Sequence, residues 1–504
     1  MFRIFGPPGT GKTTKLLNLV DKHLEAGVEP TNIAFLAFTR KAAEEARERA
    51  AARFNLDPKQ DLFFFKTLHS LALAMTDIRT DQVMQPEHYR ELGKSIGVNL
   101  GAAADNRFSD IPETQKSSDP ILGLINLAIL RKVPLRTQYN ISQIDESWNV
   151  VKYVDEALTK YKKSYTLYDF TDMLRVFAET GQSCCPRFAV TFLDEAQDLS
   201  PLQWDIAHML DRQSERMYCA GDDDQAIYRW AGADVDQFIG LEGGSETLSQ
   251  SYRVPQLPWE IAQNVARRIH RRFPKTYKPR DERGMVRRIS MVNELDMSEG
   301  SWLILAQAAY LLQDVSSDLK AMGLLFNFRG HRSVSERMSE AINGWEQLRK
   351  DKEILGSAVK SIYSCMSSKD RIKRGFKKLG GLEEDEMFSF DVLVKDYGLL
   401  ATKDMIWHVA MDKMPETDRA YIIAMLRRGE KFNAPPRITV STIHGSKGGE
   451  ADNVILFTDL SPAADESMRL EPDDMHRTFY VAVTRTKQNL FIVEPEDISR
   501  SYDL

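Results

Sequence analysis

Residues 6–13 read Gly-Pro-Pro-Gly-Thr-Gly-Lys-Thr, an octet that leaves the backbone few ways to run between its neighbours. Phe2-Arg3-Ile4-Phe5 ahead of it is a short apolar run of strand type. From Thr14 onward, Lys15, Leu16, Leu17, Leu19 and Val20 have helical spacing. Strand, glycine-rich turn and helix together are the context of a phosphate-binding loop. Gly6, Gly9 and Gly11 let backbone N–H groups turn inward toward phosphate oxygens, and the helix N-terminus adds partial positive charge. Thr10 and Thr14 lie in the same cradle. Lys12 is placed to reach the β- and γ-phosphates of a nucleotide, and the Thr13 hydroxyl to hold Mg²⁺. A glycine-rich turn that binds nothing is the competing reading, and a complete motif with the right flanks argues against it.

The chain has 504 residues, 42% apolar and 28% charged, with net charge −6. That length predicts roughly three or four globular domains. No run of about eighteen apolar residues suggests a membrane span. The N-terminus enters a strand at once, so no signal peptide is expected. Four cysteines, Cys184, Cys185, Cys219 and Cys365, show no metal-ligand spacing and make no disulfide framework. A reducing, cytoplasmic setting is expected. The acidic balance excludes an all-over basic surface but leaves room for a local basic channel.

Apolar runs at Ile33–Ala37, 62–65, Phe188–Leu193, 217–220, Trp302–Ala306, Ile438–Thr442, 454–457 and 490–493 predict buried parallel strands. Most are followed by polar or glycine-bearing segments, where ligands sit in open α/β sheets. The runs form two groups, which predicts two α/β domains. Residues 76–179 and 331–431 are polar, charged and helical in pattern and read as inserts. Residues 433–436, Asn-Ala-Pro-Pro, read as a linker.

Phe188–Leu193 runs straight into Asp194-Glu195. Paired carboxylates at a strand end are the expected partner of a phosphate loop, Asp194 for Mg²⁺ and Glu195 as general base on the attacking water. Seen alone, two such acids would more often be a solvated turn.

Further segments follow in a fixed order. They are Ala37-Phe38-Thr39-Arg40-Lys41-Ala42-Ala43, Thr67-Leu68-His69-Ser70, Asp194-Glu195-Ala196-Gln197-Asp198 and Gly221-Asp222-Asp223-Asp224-Gln225-Ala226-Ile227-Tyr228-Arg229-Trp230. Then come Gln250-Ser251-Tyr252-Arg253, Thr442-Ile443-His444-Gly445-Ser446-Lys447-Gly448-Gly449-Glu450 and Tyr480-Val481-Ala482-Val483-Thr484-Arg485-Thr486. With the phosphate loop, this series resembles the UvrD-like helicases of superfamily 1A, from residue 6 to about 486. The resemblance implies two RecA-like parallel-sheet core domains, each with a mainly helical insert. Core 1A would be residues 1–75 plus 180–248, insert 1B 76–179, core 2A 249–330 plus 432–504, and insert 2B 331–431.

Residue by residue, the resemblance implies that Gln225 senses the γ-phosphate and that Arg253 and Arg485 neutralise the transferring phosphoryl group. It implies that Tyr252 stacks on adenine and that Glu450 lies near the ribose. Phe38, Tyr228 and Trp230 would offer faces to bases, and Thr39, His69 and His444 would touch the DNA backbone or sugar. For the aromatics the alternative is a core position, and for the histidines a capping or core role. Two basic stretches, Arg267-Arg268-Ile269-His270-Arg271-Arg272 and residues 369–378, read either as phosphate trackers or, preferably, as solvated faces.

The chain departs from the family pattern in places. With five residues ahead of Gly6, no adenine-reading glutamine segment of the kind that usually precedes the loop is expected, which bears on nucleotide preference. Ala231 stands where relatives often have Arg, and Arg40 replaces the usual Asn. The 2B-like insert is small, and no fused nuclease is expected after the strand at 490–493. The expected function is an ATP- and Mg²⁺-dependent DNA helicase moving 3′ to 5′ on single-stranded DNA and acting at single-strand/duplex junctions. As a monomer or weak dimer with a possible loading protein, it would work in the settings of DNA repair and replication. The alternative is an ATP-gated DNA-binding or nucleoprotein-remodelling factor that separates no strands. An unrelated phosphate-loop enzyme such as a kinase leaves the later motifs unexplained.

Overall fold

The computed structural model describes residues 1–38, 40–101, 119–142, 144–432 and 434–504. Thr39 and Asn433 therefore lie outside the described residues. The chain forms two compact units, Met1–Arg288 with Ile443–Leu504, and Ile289–Thr442. Both have parallel-sheet cores in a mixed α/β setting.

In the first unit six strands, β1 (Phe2–Phe5), β2 (Ile33–Ala37), β3 (Phe65–Thr67), β4 (Phe188–Leu193), β5 (Ser214–Gly221) and β6 (Ser245–Thr247), lie in the order β3-β2-β4-β5-β1-β6. Every pairing is parallel. Successive residues feed opposite faces. Ile4, Phe35, Val190 and Phe192 pack on one side, while Phe5, Leu36 and Leu193 pack on the other. Burial on both faces is why these strands read as continuous apolar runs rather than alternating ones. Parallel pairing also brings the C-terminal ends of β1, β4 and β5 to one edge, where the loops at 6–13, 194–198 and 222–230 begin.

One strand lies later than its apolar run suggests. Residues 62–65 end in a turn, with Phe65 N–H donating to Leu62 O, and pairing with β2 begins only at Phe35↔Phe65. Asp57 shapes the preceding turn by accepting from the N–H groups of Lys59 and Gln60, so the chain cannot extend earlier. The region expected to be helical at 76–179 carries helices Pro86–Ile96, Pro120–Arg131, Leu135–Ile141 and Trp148–Tyr165, with Phe170–Cys184 running on past its end. The unit closes with parallel strands Ala451–Phe457 and Thr486–Val493 and, between them in sequence, helices Pro462–Leu470 and Pro472–Val483.

The second unit places the strand Ile438–Thr442 between the parallel strands Trp302–Ala306 and Phe326–Phe328. The helix Glu336–Leu348 buries Trp345 and Leu348, and the two-residue strands Ile354–Leu355 and Met387–Phe388, far apart in sequence, pair antiparallel. All four cysteines are free. Among the described residues no helix is long and apolar enough to cross a membrane.

Candidate functional site

The loop at 6–13 leaves β1 and enters helix α1 (Lys12–Glu25) through two left-handed residues, Gly9 at φ 70° and Gly11 at φ 77°. A side chain at Gly9 would be strained by that backbone and would also strike Arg253, whose Cβ lies 2.3 Å from where a Cβ would stand. Thr10 Oγ1 donates to Pro7 O at 2.7 Å and tightens the turn. Lys12 lies across Gly6, donating from Nζ to Gly6 O at 3.0 Å, with Glu195 Oε1 3.7 Å away. Thr14 Oγ1 accepts from Arg49.

Thr13 Oγ1 donates to Asp194 Oδ2 at 3.0 Å. A hydroxyl and a carboxylate oxygen side by side are the hard donors that Mg²⁺ takes, so the residues present fit the metal that the sequence implies. Burial, and then the neighbouring Glu195, raise Asp194 to about 6. Glu195 goes the other way. Burial pushes it up, but Lys12, followed by Lys447, Gln197 and Arg485, outweighs that and brings it to about 2. The pair is thereby split into one carboxylate suited to a cation and one held ionised, as a general base needs to be. Glu195 sits in the left-handed region at φ 53°, and its Oε2 accepts from Gln197 Nε2 at 2.6 Å.

Gln225 joins the two ends of the site. Its Nε2 donates to Asp222 Oδ2 at 2.7 Å and its Oε1 accepts from Arg485 Nη2 at 2.8 Å. Arg485 is buried and also donates to Val481 O and Gly449 O. Burial, then the nearby Arg253, lowers it to about 9. The 251–253 segment clasps the phosphate loop, with Ser251 Oγ donating to Pro8 O at 2.7 Å and Tyr252 N–H to Gly9 O at 2.9 Å. The Tyr252 ring is 72% exposed, free to cover a flat base. Arg253 Nε lies 2.5 Å from Glu450 Oε2, and Lys487 Nζ 2.8 Å from Glu450 Oε1. Glu450 is thus the counter-ion of two cations here.

The candidate nucleic-acid residues gather beside Gln225. Trp230 is 51% exposed, whereas Tyr228 is 3% exposed. Phe38 stacks on Tyr228 at 6.0 Å, and the Lys447 ammonium lies 4.7 Å from the Tyr228 ring centre. Trp230 meets His444 edge-on at 6.0 Å. Of the three aromatics expected to face bases, Trp230 presents a free face, and Tyr228 is the packed support beneath it. His444 is lowered to about 4 by burial, then by Lys447. His69, on the helix Leu68–Met75 that Thr67 caps, is lowered to about 4 by burial and then Arg40. Its Nε2 is buried and has no partner among the described residues. Both rings are neutral at pH 7. Among the described residues no group of His, Cys, Asp and Glu forms a further metal cluster.

Comparison with known proteins bears on this arrangement. Residues 2–243 match the UvrD/REP helicase N-terminal domain and residues 437–493 the UvrD-like helicase C-terminal domain, together more than half of the chain. The chain belongs to the UvrD/Rep helicase family. It is 27% identical to ATP-dependent DNA helicase PcrA of Leuconostoc citreum over 54% of this chain and 38% of that one. To the PcrA of Bacillus subtilis (strain 168) it is 26% identical over 55% and 39%. To the protein of Rickettsia conorii named "Probable DNA helicase II homolog" it is 23% identical over 98% of this chain and 90% of that one. The chain therefore matches well under half the length of the two PcrA relatives.

In this UvrD/Rep family chain, two features of the site escape a reading of the motifs. Lys447 pairs with Asp198 and donates to Gln225 O at 3.1 Å. Consecutive Asp222, Asp223 and Asp224 are all buried, with Lys275 and Arg272 among them. The available signal was the acidic triplet itself, since buried carboxylates require cations. Arg272 ends a basic stretch expected to be solvated or to track phosphate. Instead it grips Asp224 with Nε at 2.8 Å, while His270 and Arg271 donate backbone N–H groups to Asp473.

Proposed function

We propose that this chain is an ATP-hydrolysing motor that binds single-stranded DNA, moves on it 3′ to 5′ and separates duplex ahead of it. The observation that carries the reading is the contact of Gln225 with Arg485, three residues from Tyr228 and five from the exposed Trp230. One short loop thus touches a phosphate-sensing arginine at one end and offers a base-stacking face at the other.

In this reading the loop at 6–13 holds the triphosphate of ATP, and Lys12 leaves Gly6 O and Glu195 to meet it. Thr13 and Asp194 would hold Mg²⁺, which would screen phosphate charge. Glu195 takes a proton from the attacking water, and Arg253 and Arg485 offset the charge that develops on the phosphoryl oxygens. Tyr252 covers the base of the nucleotide and Glu450 orients Arg253. Phe38 supports the aromatic step, and His69 and His444, both neutral, face the strand. The domain scheme 1A, 1B, 2A and 2B is part of the same proposal, with closure of one core on the other driving each step.

Strand displacement from 3′- and 5′-tailed duplexes, with ATP and Mg²⁺, tests it. Release from the 3′-tailed substrate alone is expected. ATP turnover without release from either would instead favour an ATP-gated clamp or remodelling factor.

A further inference from the structure

Asp222 stands at a crossing of the site. Its backbone N–H donates to Gln197 Oε1 at 3.0 Å, and Gln197 Nε2 reaches Glu195. Its side chain divides its two oxygens. Oδ2 accepts from Gln225 Nε2 at 2.7 Å, while Oδ1 lies 3.2 Å from Lys275 Nζ and accepts from Asp224 N–H at 3.3 Å. Lys275 is buried and also reaches Asp223 Oδ1 at 2.6 Å and Asp224 Oδ2 at 2.8 Å. Arg272 takes both oxygens of Asp224, and Phe273 N–H takes the second oxygen of Asp223. Of the three acids, only Asp222 directs an oxygen toward the nucleotide-sensing glutamine.

The orientation of the Gln225 amide is forced by chemistry. A carboxylate only accepts and a guanidinium only donates. With Asp222 on one side and Arg485 on the other, NH₂ must face Asp222 and the carbonyl oxygen must face Arg485. We propose that Asp222, anchored by Lys275, is a positioning residue that fixes the Gln225 amide so that its oxygen holds Arg485 in place for ATP hydrolysis. This rests on the motor reading above and assigns the control of its phosphate sensor to a buried lysine–aspartate pair.

The substitution Asp222→Asn tests it because no orientation of the new amide suits both sides. With its oxygen toward Lys275 and the Asp224 N–H, its NH₂ meets Gln225 Nε2. Gln225 then turns over, and its own NH₂ meets Arg485 Nη2, donor against donor. With the amide reversed, the clash falls on Lys275. The assay is ATP turnover by the full chain with saturating single-stranded DNA, with kcat counted per ATP-binding molecule so that unfolded protein does not register as loss. Asp222→Asn is expected to lower kcat about tenfold or more, with KM for ATP within about twofold. Asp223→Asn removes an equal charge and a shorter lysine contact but nothing that Gln225 touches, and it is expected to keep kcat. Asp222→Glu keeps the charge and so the fold, but carries the carboxylate one methylene out of line, and it is expected to lose kcat as well. Wild-type kcat in Asp222→Asn or in Asp222→Glu, or an equal loss in Asp223→Asn, overturns the proposal. Absence of DNA-stimulated turnover in the unsubstituted chain would overturn the motor reading instead.

Discussion

Replacing Glu195 by Gln separates nucleotide binding from hydrolysis, and the structure gives the size of each effect. Lys12, followed by Lys447, Gln197 and Arg485, outweighs burial and holds the carboxyl well below the usual range, so at pH 7 it carries no proton. Gln has nearly the same shape, and its side-chain oxygen can still accept from Gln197 Nε2, so the local packing should survive. What disappears is the attraction to Lys12 Nζ at 3.7 Å, a gross interaction of about 4 kcal/mol at an effective dielectric near 20. That attraction competes with phosphate for Lys12, and Lys12 retains Gly6 O in the variant. ATP affinity should therefore hold or tighten. The chemical step should slow by about 10²–10⁴, the usual worth of a general base, or about 3–5 kcal/mol in barrier. The assay pairs equilibrium titration with a fluorescent ATP analogue and single-turnover hydrolysis. Wild-type turnover would move the base elsewhere, and loss of ATP binding would make Glu195 a structural residue.

Trp230→Ala should leave the melting temperature unchanged, because the ring is half exposed. It should weaken single-stranded DNA binding by about 1–3 kcal/mol and uncouple ATP turnover from movement. Fluorescence anisotropy and a translocation assay read the two effects, and unchanged translocation would count against the stacking role. Lys447→Met should destabilise the first unit by about 3–5 kcal/mol at pH 8 by stranding buried Asp198. Burial, partly offset by Lys447, already raises Asp198 from 3.8 to about 6. The folded state thus holds its proton more firmly than the unfolded state, and this group costs stability as pH rises through that window. Losing Lys447 raises it further, so the deficit in urea unfolding should shrink toward pH 4–5. A deficit independent of pH would contradict the pairing.

Runs buried on both sheet faces were legible as strands. Ile33–Ala37, Phe188–Leu193, Trp302–Ala306 and Ile438–Thr442 lie where their apolar residues do. Residues 62–65 misled because an apolar run closed on itself by a backbone turn has the same composition as a strand. The phosphate loop and Asp194-Glu195 were readable because their chemistry depends on local spacing. The partners of Asp198 and of the Asp222–Asp224 triplet were not, since Lys447 and Lys275 come from distant parts of the chain and only folding unites them. Nor does a motif say which of two neighbouring aromatics is free. Tyr228 and Trp230 differ in what packs against them, Phe38 and Lys447 in the case of Tyr228.

The central claim is that occupancy of the Trp230 face is felt at Glu195 and Arg485. Steady-state ATP hydrolysis measured with and without single-stranded DNA tests it most directly. A marked stimulation of kcat by the single strand, absent with blunt duplex, is the predicted result. The same rate with and without DNA would contradict it.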